Sequence, residues 1–493
     1  MALVVEQKPA FKTLPIGQQF ICVVTENTGL LISEQNVAIV ATVHVFENSN
    51  QTGTISLSTY KSVPNSQGVC IFDFGAVIEN YVTPDYNGVL SASPAAASTF
   101  HDVAYDSEVG YHALHNIDRY CYGDNTVAYG TVYFELEFLG GNPLTPNIVG
   151  FNAMYSAIDT LLIYNGVLYQ TDPLSYKDLL SPDYGYDLDL NGYINNDSGS
   201  TFMTDMPKTL YARPEDYGTV ALLNGLNKQN YSFQTYVSTL TPALNSLNYL
   251  EYTWYNAAGL DGSVKIYNRQ STGGWNGVAP DLDYPIEAKV RYLFAGIYPA
   301  NLRATEAAFE AALTTDMLYY TVQGFSNSVA AKTDLYTVNI IHDCQYEPIR
   351  LAWLNKHGAW DYYTFKKKSV RTLTSKRTNY QKLDGTWNAK TFNPNVNQGG
   401  MKSFKVKTKE AIKINTDFIS EEESVWLEQL MTTSEVFLLK DYFVGGGLEV
   451  IRKFNEPVLI KTSSYIKKTV ANDKLIQYTF EIEKSFEIKT QGA

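Results

Sequence analysis

The stretch Thr126–Leu139, TVAYGTVYFELEFL, decides the fold class of this chain. Its second half places a large apolar residue at every other position, with Tyr or Glu between them. This two-residue period is what a β-strand with one buried face requires. Gly140-Gly141-Asn142-Pro143 follows and ends the pattern. The sequence therefore predicts a long strand here, within a mainly β protein.

Segments of β composition continue from this strand toward the N-terminus. Phe20–Val24, Val37–Phe46 and Gly53–Tyr60 are rich in β-branched or hydroxylated residues, and turn-forming residues separate them. Ala76–Tyr81 predicts a single helical turn. Short strands with turns between them predict a β-sandwich-like N-terminal domain over residues 1–145.

The centre of the chain predicts a second β-rich domain, over residues 146–345. Leu247–Tyr255 has strand composition, like several segments around it. One helix is predicted near Thr305–Thr314, where Ala307 and Phe309 fall among good helix formers.

Residues 346–400 predict an aromatic hairpin followed by a basic linker. Trp353–Phe365 is dense in aromatic residues, and Lys366–Arg377 is a basic run. Asp384–Gly400 is rich in Asn and Gly, which favours a linker over a core element.

Residues 401–493 predict a C-terminal α+β domain with one main helix. Phe404–Asp417 is strand-like, and Ser420 before an acidic first turn is typical of a helix N-terminus. The helix is predicted over Glu421–Met431, with Val425, Leu427 and Leu430 near one face. The whole chain is thus predicted to be a mainly β, multi-domain protein.

The composition favours burial against partners. Among 493 residues there are 37 Tyr and 23 Phe, while charged residues are only 18%. Tyr is rigid and amphipathic, so a Tyr-rich surface suits an interface. Aromatic residues that simply fill the cores of β-sandwiches are the alternative.

The net charge of −13 is divided unevenly along the chain. Residues 1–345 carry 14 Lys and Arg against 34 Asp and Glu, whereas residues 346–493 carry 24 against 17. Parts of opposite sign attract each other within a chain or between copies in a ring. Separately solvated domains are the alternative, and so small a basic excess predicts no specific nucleic acid partner.

Cysteine usage and the first residues place the chain in a reducing cytoplasm. Its 4 Cys are widely spaced, without a CxxC pair, which predicts neither a disulfide framework nor a zinc site. The opening MALVVEQKPAFK lacks the basic and apolar regions of a signal peptide. Val37–Phe46 is too short to cross a bilayer, so no membrane partner is predicted.

One segment resembles a calcium-binding loop. Asp187, Asp189 and Asn191 occupy the first, third and fifth positions, a Gly follows at the sixth, and Asn195 is the ninth. The twelfth position should be a bidentate acid but is Ser198. An Asx-rich surface turn is the alternative explanation of the same residues. Apart from this calcium candidate, the sequence predicts no cofactor.

The aromatic segment around the turn Asn355–Gly358 predicts a hairpin. Cross-strand pairing of large side chains holds the register of such a hairpin and offers an interface. A stacking platform for sugar or nucleic acid beside the following lysines is the alternative. The residues concerned are Trp353, Trp360, Tyr362, Tyr363 and Phe365.

No nucleophile or phosphate-binding motif is present. The sequence contains no GxSxG, no P-loop, and no GxGxxG before a helix. We therefore predict a protein that is not an enzyme. A pair of glycosidase carboxylates is defined by separation in space, so a polysaccharide depolymerase stays as an alternative.

Several short segments carry a resemblance to known proteins. The fullest is Glu347–Phe365, EPIRLAWLNKHGAWDYYTF. The other segments are Pro64–Tyr81, Phe202–Pro207, Gly296–Leu302, Leu430–Leu438 and Asp473–Thr479. Together they resemble segments of virion proteins of tailed bacteriophages that infect Bacteroidetes.

The resemblance implies a structural subunit of a phage tail, baseplate or collar, assembled in the host cytoplasm. Its implied partners are copies of itself in a homo-oligomeric ring and other tail or neck proteins, and its C-terminal domain is implied to be tail-tube-like. A receptor-binding adhesin is the alternative, with host surface glycan stacked on Trp254, Trp275 or the Trp353–Trp360 hairpin.

Overall fold

The computed structural model divides the chain into two compact units. Unit 1 comprises Met1–His342 and Leu354–Asp361, and unit 2 comprises Asp343–Trp353 and Tyr362–Ala493. The structure describes residues 3–8, 13–17, 19–34, 36–46, 54–84, 120–122, 126–138, 141–142, 145–146, 150–157, 161–167, 201–223, 247–267, 292–303, 306–326, 331–342, 345–397, 399–444, 450–464 and 476–488.

Unit 1 is built mainly of strands. The strands are β1 Leu3–Gln7, β2 Thr13–Pro15, β3 Ile21–Glu26, β4 Val37–Phe46, β5 Thr54–Ser62, β6 Cys70–Asp73, β7 Tyr120–Tyr122, β8 Val127–Phe138, β9 Gly141–Asn142, β10 Thr145–Pro146, β11 Gly150–Ala157, β12 Leu161–Tyr164, β13 Thr209–Ala212, β14 Thr219–Leu223, β15 Leu247–Asn256, β16 Gly259–Tyr267, β17 Tyr292–Gly296, β18 Tyr319–Ser326 and β19 Tyr336–Ile340. The helices are α1 Leu30–Ser33, α2 Gly75–Ile78 followed by a 3-10 turn Glu79–Tyr81, α3 Pro299–Arg303 and α4 Ala307–Thr315.

The predicted long strand is β8, at the centre of a six-stranded sheet. β8 pairs antiparallel with β4, β11 and β12. Phe134, Leu136 and Phe138 are buried, while Glu135 and Glu137 between them are only half-buried. The two-residue period thus marks the core face, and the mainly β, multi-domain fold is confirmed.

The predicted domain boundary at residue 145 is wrong, because sheets cross it. β12 lies beyond that boundary yet pairs with both β8 and β2. β7 lies before it yet joins β17 and β14 in a three-stranded sheet. Pairing between distant strands leaves no local sequence signal. The Gly-rich turn after residue 139 marks the end of a strand and not a domain boundary.

Besides a two-stranded sheet of β9 and β10, two larger sheets are described in unit 1. β1, β3 and β6 form one, and β13, β19, β18, β15 and β16 form the other in that order. The central helix is α4, two residues displaced from its predicted start, and its Phe309 packs edge-on against Trp254 and Tyr320 at 5.6 and 5.2 Å.

Unit 2 is one antiparallel sheet with a helix. Its elements are β20 Ile349–Leu354, β21 Trp360–Phe365, β22 Val370–Lys382, β23 Gly400–Asn415, α5 Glu421–Thr432, β24 Val436–Val444, β25 Val450–Ile460 and β26 Thr479–Lys484. The strand order is β21-β20-β24-β25-β26-β23-β22. Residues 346–400 and 401–493 therefore share one sheet, and their predicted division into separate domains is wrong.

Helix α5 begins at the predicted residue. The Ser420 hydroxyl accepts a hydrogen bond from the Glu423 amide, and the Glu423 side chain accepts one from the Ser420 amide. Trp426, Leu427 and Leu430 are buried. Leu427 and Leu430 thus lie on the buried face as predicted, whereas Val425 is 55% exposed and Trp426 takes the buried position beside it.

The predicted linker is also corrected. Most of the basic run Lys366–Arg377 lies in β22. This strand pairs with β23 along its whole length, from Val370 opposite Lys413 to Lys382 opposite Gly400. Asp384–Gly400 connects these two strands, with its last residue opening β23. Asn and Gly mark turns as well as linkers, so composition alone did not distinguish the two.

Candidate interaction surface

The aromatic hairpin forms where the sequence places it, as adjacent strands β20 and β21. Its turn is closed by a hydrogen bond from the Asn355 amide to the Ala359 carbonyl, 2.8 Å. Gly358 adopts φ 76°, which favours glycine. A Cβ there would lie 1.7 Å from the Asn165 carbonyl oxygen, so the turn also requires the absence of a side chain.

A buried polar network holds the tip of this hairpin within unit 1. The side-chain amide of Asn355 donates through Nδ2 to Asp361 Oδ1 and to the Met203 carbonyl, both at 3.0 Å. The Thr204 hydroxyl donates to the same Asp361 oxygen at 2.6 Å. Asp361 is 2% exposed, and its hydrogen bonds offset the cost of burying a carboxylate.

Asp205 forms an ion cluster beside this network. Lys356 Nζ lies 2.7 Å from Asp205 Oδ2, and His357 Nε2 lies 3.3 Å from Asp205 Oδ1. Burial acts to raise the pKa of the Asp205 carboxyl, but His357 and Lys356 outweigh it and hold the pKa well below the ordinary 3.8. The His357 ring is fully buried, which favours an anchoring role.

The aromatic side chains of the hairpin are core and not an exposed platform or interface. Trp353, Trp360, Tyr362 and Phe365 are at most 3% exposed. Within unit 2, Trp353 packs against Trp426 at 5.2 Å and Phe365 against Phe480 at 6.0 Å.

Tyr363 is half-buried and packs on Trp426 at 6.1 Å. The predicted interface role of these residues is therefore corrected. Helix α5 packs on Trp353 and Tyr363, and strand β26 packs on Phe365.

The remaining predicted site residues divide into two groups. Trp254 is 4% exposed and is a core residue. Trp275 and the calcium candidates Asp187, Asp189, Asn191 and Asn195 lie outside the described residues. Within the described part of the chain, no group of three or more His, Cys, Asp and Glu is arranged to hold a metal ion.

Within the described residues, the most exposed element is a two-stranded ribbon, which we call the arm and define as residues 370–410. All thirteen residues of β22 are exposed, so neither of its faces is buried. At the strand rise of about 3.4 Å per residue, β22 spans roughly 40 Å. The strand is also an edge of its sheet, where an open row of backbone groups is available for pairing.

One face of the arm is lined by lysines. Lys376 lies directly opposite Lys407 in the strand register, and Lys405 and Lys409 share the face because they lie two positions to either side. Near the base, Lys407 Nζ is 3.6 Å from Glu487 and Lys409 Nζ is 2.6 Å from Glu483. We call these four residues the lysine face.

The tip of the arm is apolar and structured. Trp387 and Phe392 contact each other edge-on at 5.5 Å and are 68% and 55% exposed. The Thr386 hydroxyl donates to the Thr391 carbonyl at 2.8 Å and accepts from the Asn393 amide at 2.9 Å. The pair is therefore presented to solvent by a loop with its own hydrogen bonds.

Sequence reasoning missed the arm, although it leaves a signal. Lys405, Lys407 and Lys409 alternate with apolar or hydroxylated residues, the period of a strand with one charged face. The buried network around Asp361 leaves no comparable signal, since Thr204 and Asn355 are far apart in sequence.

Comparisons with known proteins give no family. No family model matches the chain, and no curated protein matches it. Among solved structures, the chain is similar to the crystal structure of invasin, a bacterial integrin-binding protein, with 8% identity and a TM-score of 0.22. The match covers 84% of this chain, which spans 57% of the length of that one. A TM-score at this level carries no argument about function.

Within the described residues, no helix is both long and apolar enough to cross a bilayer.

Proposed function

We propose that this chain is a structural subunit of a large protein assembly and acts through protein–protein contacts. The setting we propose, from the resemblance of its short segments to virion proteins, is the tail, baseplate or collar of a tailed bacteriophage. The partners would be further copies of the chain in a ring, together with other tail or neck proteins.

The observation that supports this proposal most strongly is the arm. An isolated two-stranded ribbon is marginally stable in water, and its exposed edge invites pairing with other chains. Trp, Tyr and Arg dominate the energetics of protein interfaces, and the arm presents Trp387, Tyr380 and Arg377 to solvent. Such an element gains stability when a partner covers it.

The direct test is the mass and shape of the purified full-length protein. Sedimentation and negative-stain electron microscopy over a concentration series should show a ring or another closed oligomer. A matched variant with the arm tip blunted, Trp387→Ala with Phe392→Ala, should assemble less well. A wild-type protein that stays monomeric throughout would contradict the proposal.

A glycan-binding adhesin is the second candidate, and one observation favours it. Exposed aromatic rings are the groups on which sugar rings stack, and Trp387 at the arm tip is such a ring. Glycan-array binding that Trp387→Ala abolishes, by a protein that stays monomeric, would favour the adhesin over the assembly subunit.

A further inference from the structure

The basic excess of the C-terminal part is concentrated in the arm. Residues 370–410 carry nine Lys and Arg against two acids, a balance of +7. The rest of residues 346–493 carries fifteen of each and is neutral. The charge asymmetry along the sequence is therefore a contrast between one exposed ribbon and the acidic remainder of the chain.

The part of the lysine face around Lys376 holds like charges close together. Lys376 lies directly opposite Lys407, and like charges so placed on paired strands destabilise the pair, while Glu487, 3.6 Å from Lys407, supplies one compensating charge. Lys405 adds a third charge on the same face. An acidic surface laid against this face would relieve the repulsion, whereas solvent and salt only screen it.

We infer that the arm docks its lysine face and apolar tip on the acidic unit 1 of a second copy of this chain. The inference rests on the proposed function and specifies which surfaces of two copies meet in the assembly. It makes the assembly head-to-tail, since the arm of one copy meets a different surface on the next.

Charge complementarity selects a second copy over a nucleic acid. Outside the arm the chain carries 49 acids against 29 Lys and Arg. This acidic remainder repels a polyanion, yet its net charge is opposite to that of each arm and is present at equal stoichiometry. The exposed Trp387 and Phe392 add apolar anchors of the kind found at interface centres.

The test combines isotope-mixed cross-linking with charge reversal in the full-length protein. Equal amounts of ¹⁴N- and ¹⁵N-labelled protein are mixed, assembled and treated with a carbodiimide, which joins lysines directly to neighbouring carboxylates. Mass spectrometry should find Lys376 or Lys405 joined to acids of the first 345 residues in mixed-isotope pairs. Arm links confined to single-isotope pairs would overturn the inference.

The matched variants separate the arm from net charge. Lys376→Glu with Lys405→Glu should weaken self-association by about tenfold or more, because like charge against an acidic patch is strongly unfavourable. The substitution places Glu opposite Lys407, so the ribbon should keep its fold. Lys368→Glu with Lys413→Glu makes the same charge change at exposed lysines of unit 2 that lie outside the arm, and should have little effect.

The outcomes are distinguishable. If the wild type assembles and the arm variant assembles equally well, the inference fails while the proposed function stands. If the wild type is monomeric at every concentration, the proposed function fails as well. If the arm variant loses binding to a short DNA duplex at physiological salt but self-associates normally, the arm is a nucleic-acid element and the inference is overturned.

Discussion

Single residues decide whether the aromatic hairpin can close. Gly358 combines a positive φ with a carbonyl oxygen that leaves no room for a side chain, whereas Gly29 has φ 78° with open space around it. We expect Gly358→Ala to lower the free energy of unfolding of unit 1 by more than about 1 kcal/mol, since both strain and steric overlap act there.

Gly29→Ala carries only the conformational penalty and is the control. The measurement is the denaturant midpoint of the unit 1 transition, since the two units need not unfold together. Equal effects of the two substitutions would contradict the close approach at Gly358.

The charge of the Asp205 carboxylate makes the stability of the fold depend on pH. Because its pKa is lower in the folded protein than the ordinary 3.8, it stabilises the fold above that pH, and the contribution is lost as pH falls toward the folded value. Asp205→Asn should cost about 1–3 kcal/mol at neutral pH. The difference from wild type should shrink below pH 3.8, in unfolding measured across the acid range.

Asp261→Asn at an exposed position is the control and should change the stability at neutral pH by less than about 0.5 kcal/mol. A difference between Asp205→Asn and wild type that stays constant down to strongly acidic pH would refute the ion cluster as its cause.

Among the elements, helix α5 depends on its capping box. Ser420→Ala removes one of the two reciprocal hydrogen bonds at the N-terminus and should lower the stability of unit 2 by about 1 kcal/mol. Val425→Ala, on the exposed side of the same helix, should change it by less than about 0.5 kcal/mol. Thermal unfolding followed by far-ultraviolet circular dichroism distinguishes the two.

The arm is predicted to serve contacts more than stability. Trp387 and Phe392 are largely exposed, so Trp387→Ala with Phe392→Ala should leave the unfolding midpoint within error of the wild type. Assembly should weaken. A large loss of stability, measured alongside sedimentation, would instead mean that the tip supports the fold.

At the level of the whole molecule, the charge contrast predicts assembly that weakens with salt. Screening lengths fall from about 10 Å at 0.1 M to about 3 Å at 1 M, which reduces attraction between the basic arm and an acidic surface. The concentration at half-assembly should therefore rise with ionic strength. Charge-reversed arms should show a smaller salt dependence, and salt-insensitive assembly by the wild type would contradict the charge contrast as its cause.

Local signals in the sequence determined the elements of this protein. The two-residue period identified β8, Ser420 before an acidic first turn identified the start of α5, and the aromatic turn identified the hairpin, because each depends on neighbours within a few residues.

Only the tertiary structure decided which aromatic residues are covered. Trp353 and Trp360 are core while Trp387 is exposed, a difference that depends on distant elements such as α5 laid over the sheet. It likewise turned a predicted linker into the arm, since the pairing of β22 with β23 joins segments that a Gly- and Asn-rich loop separates.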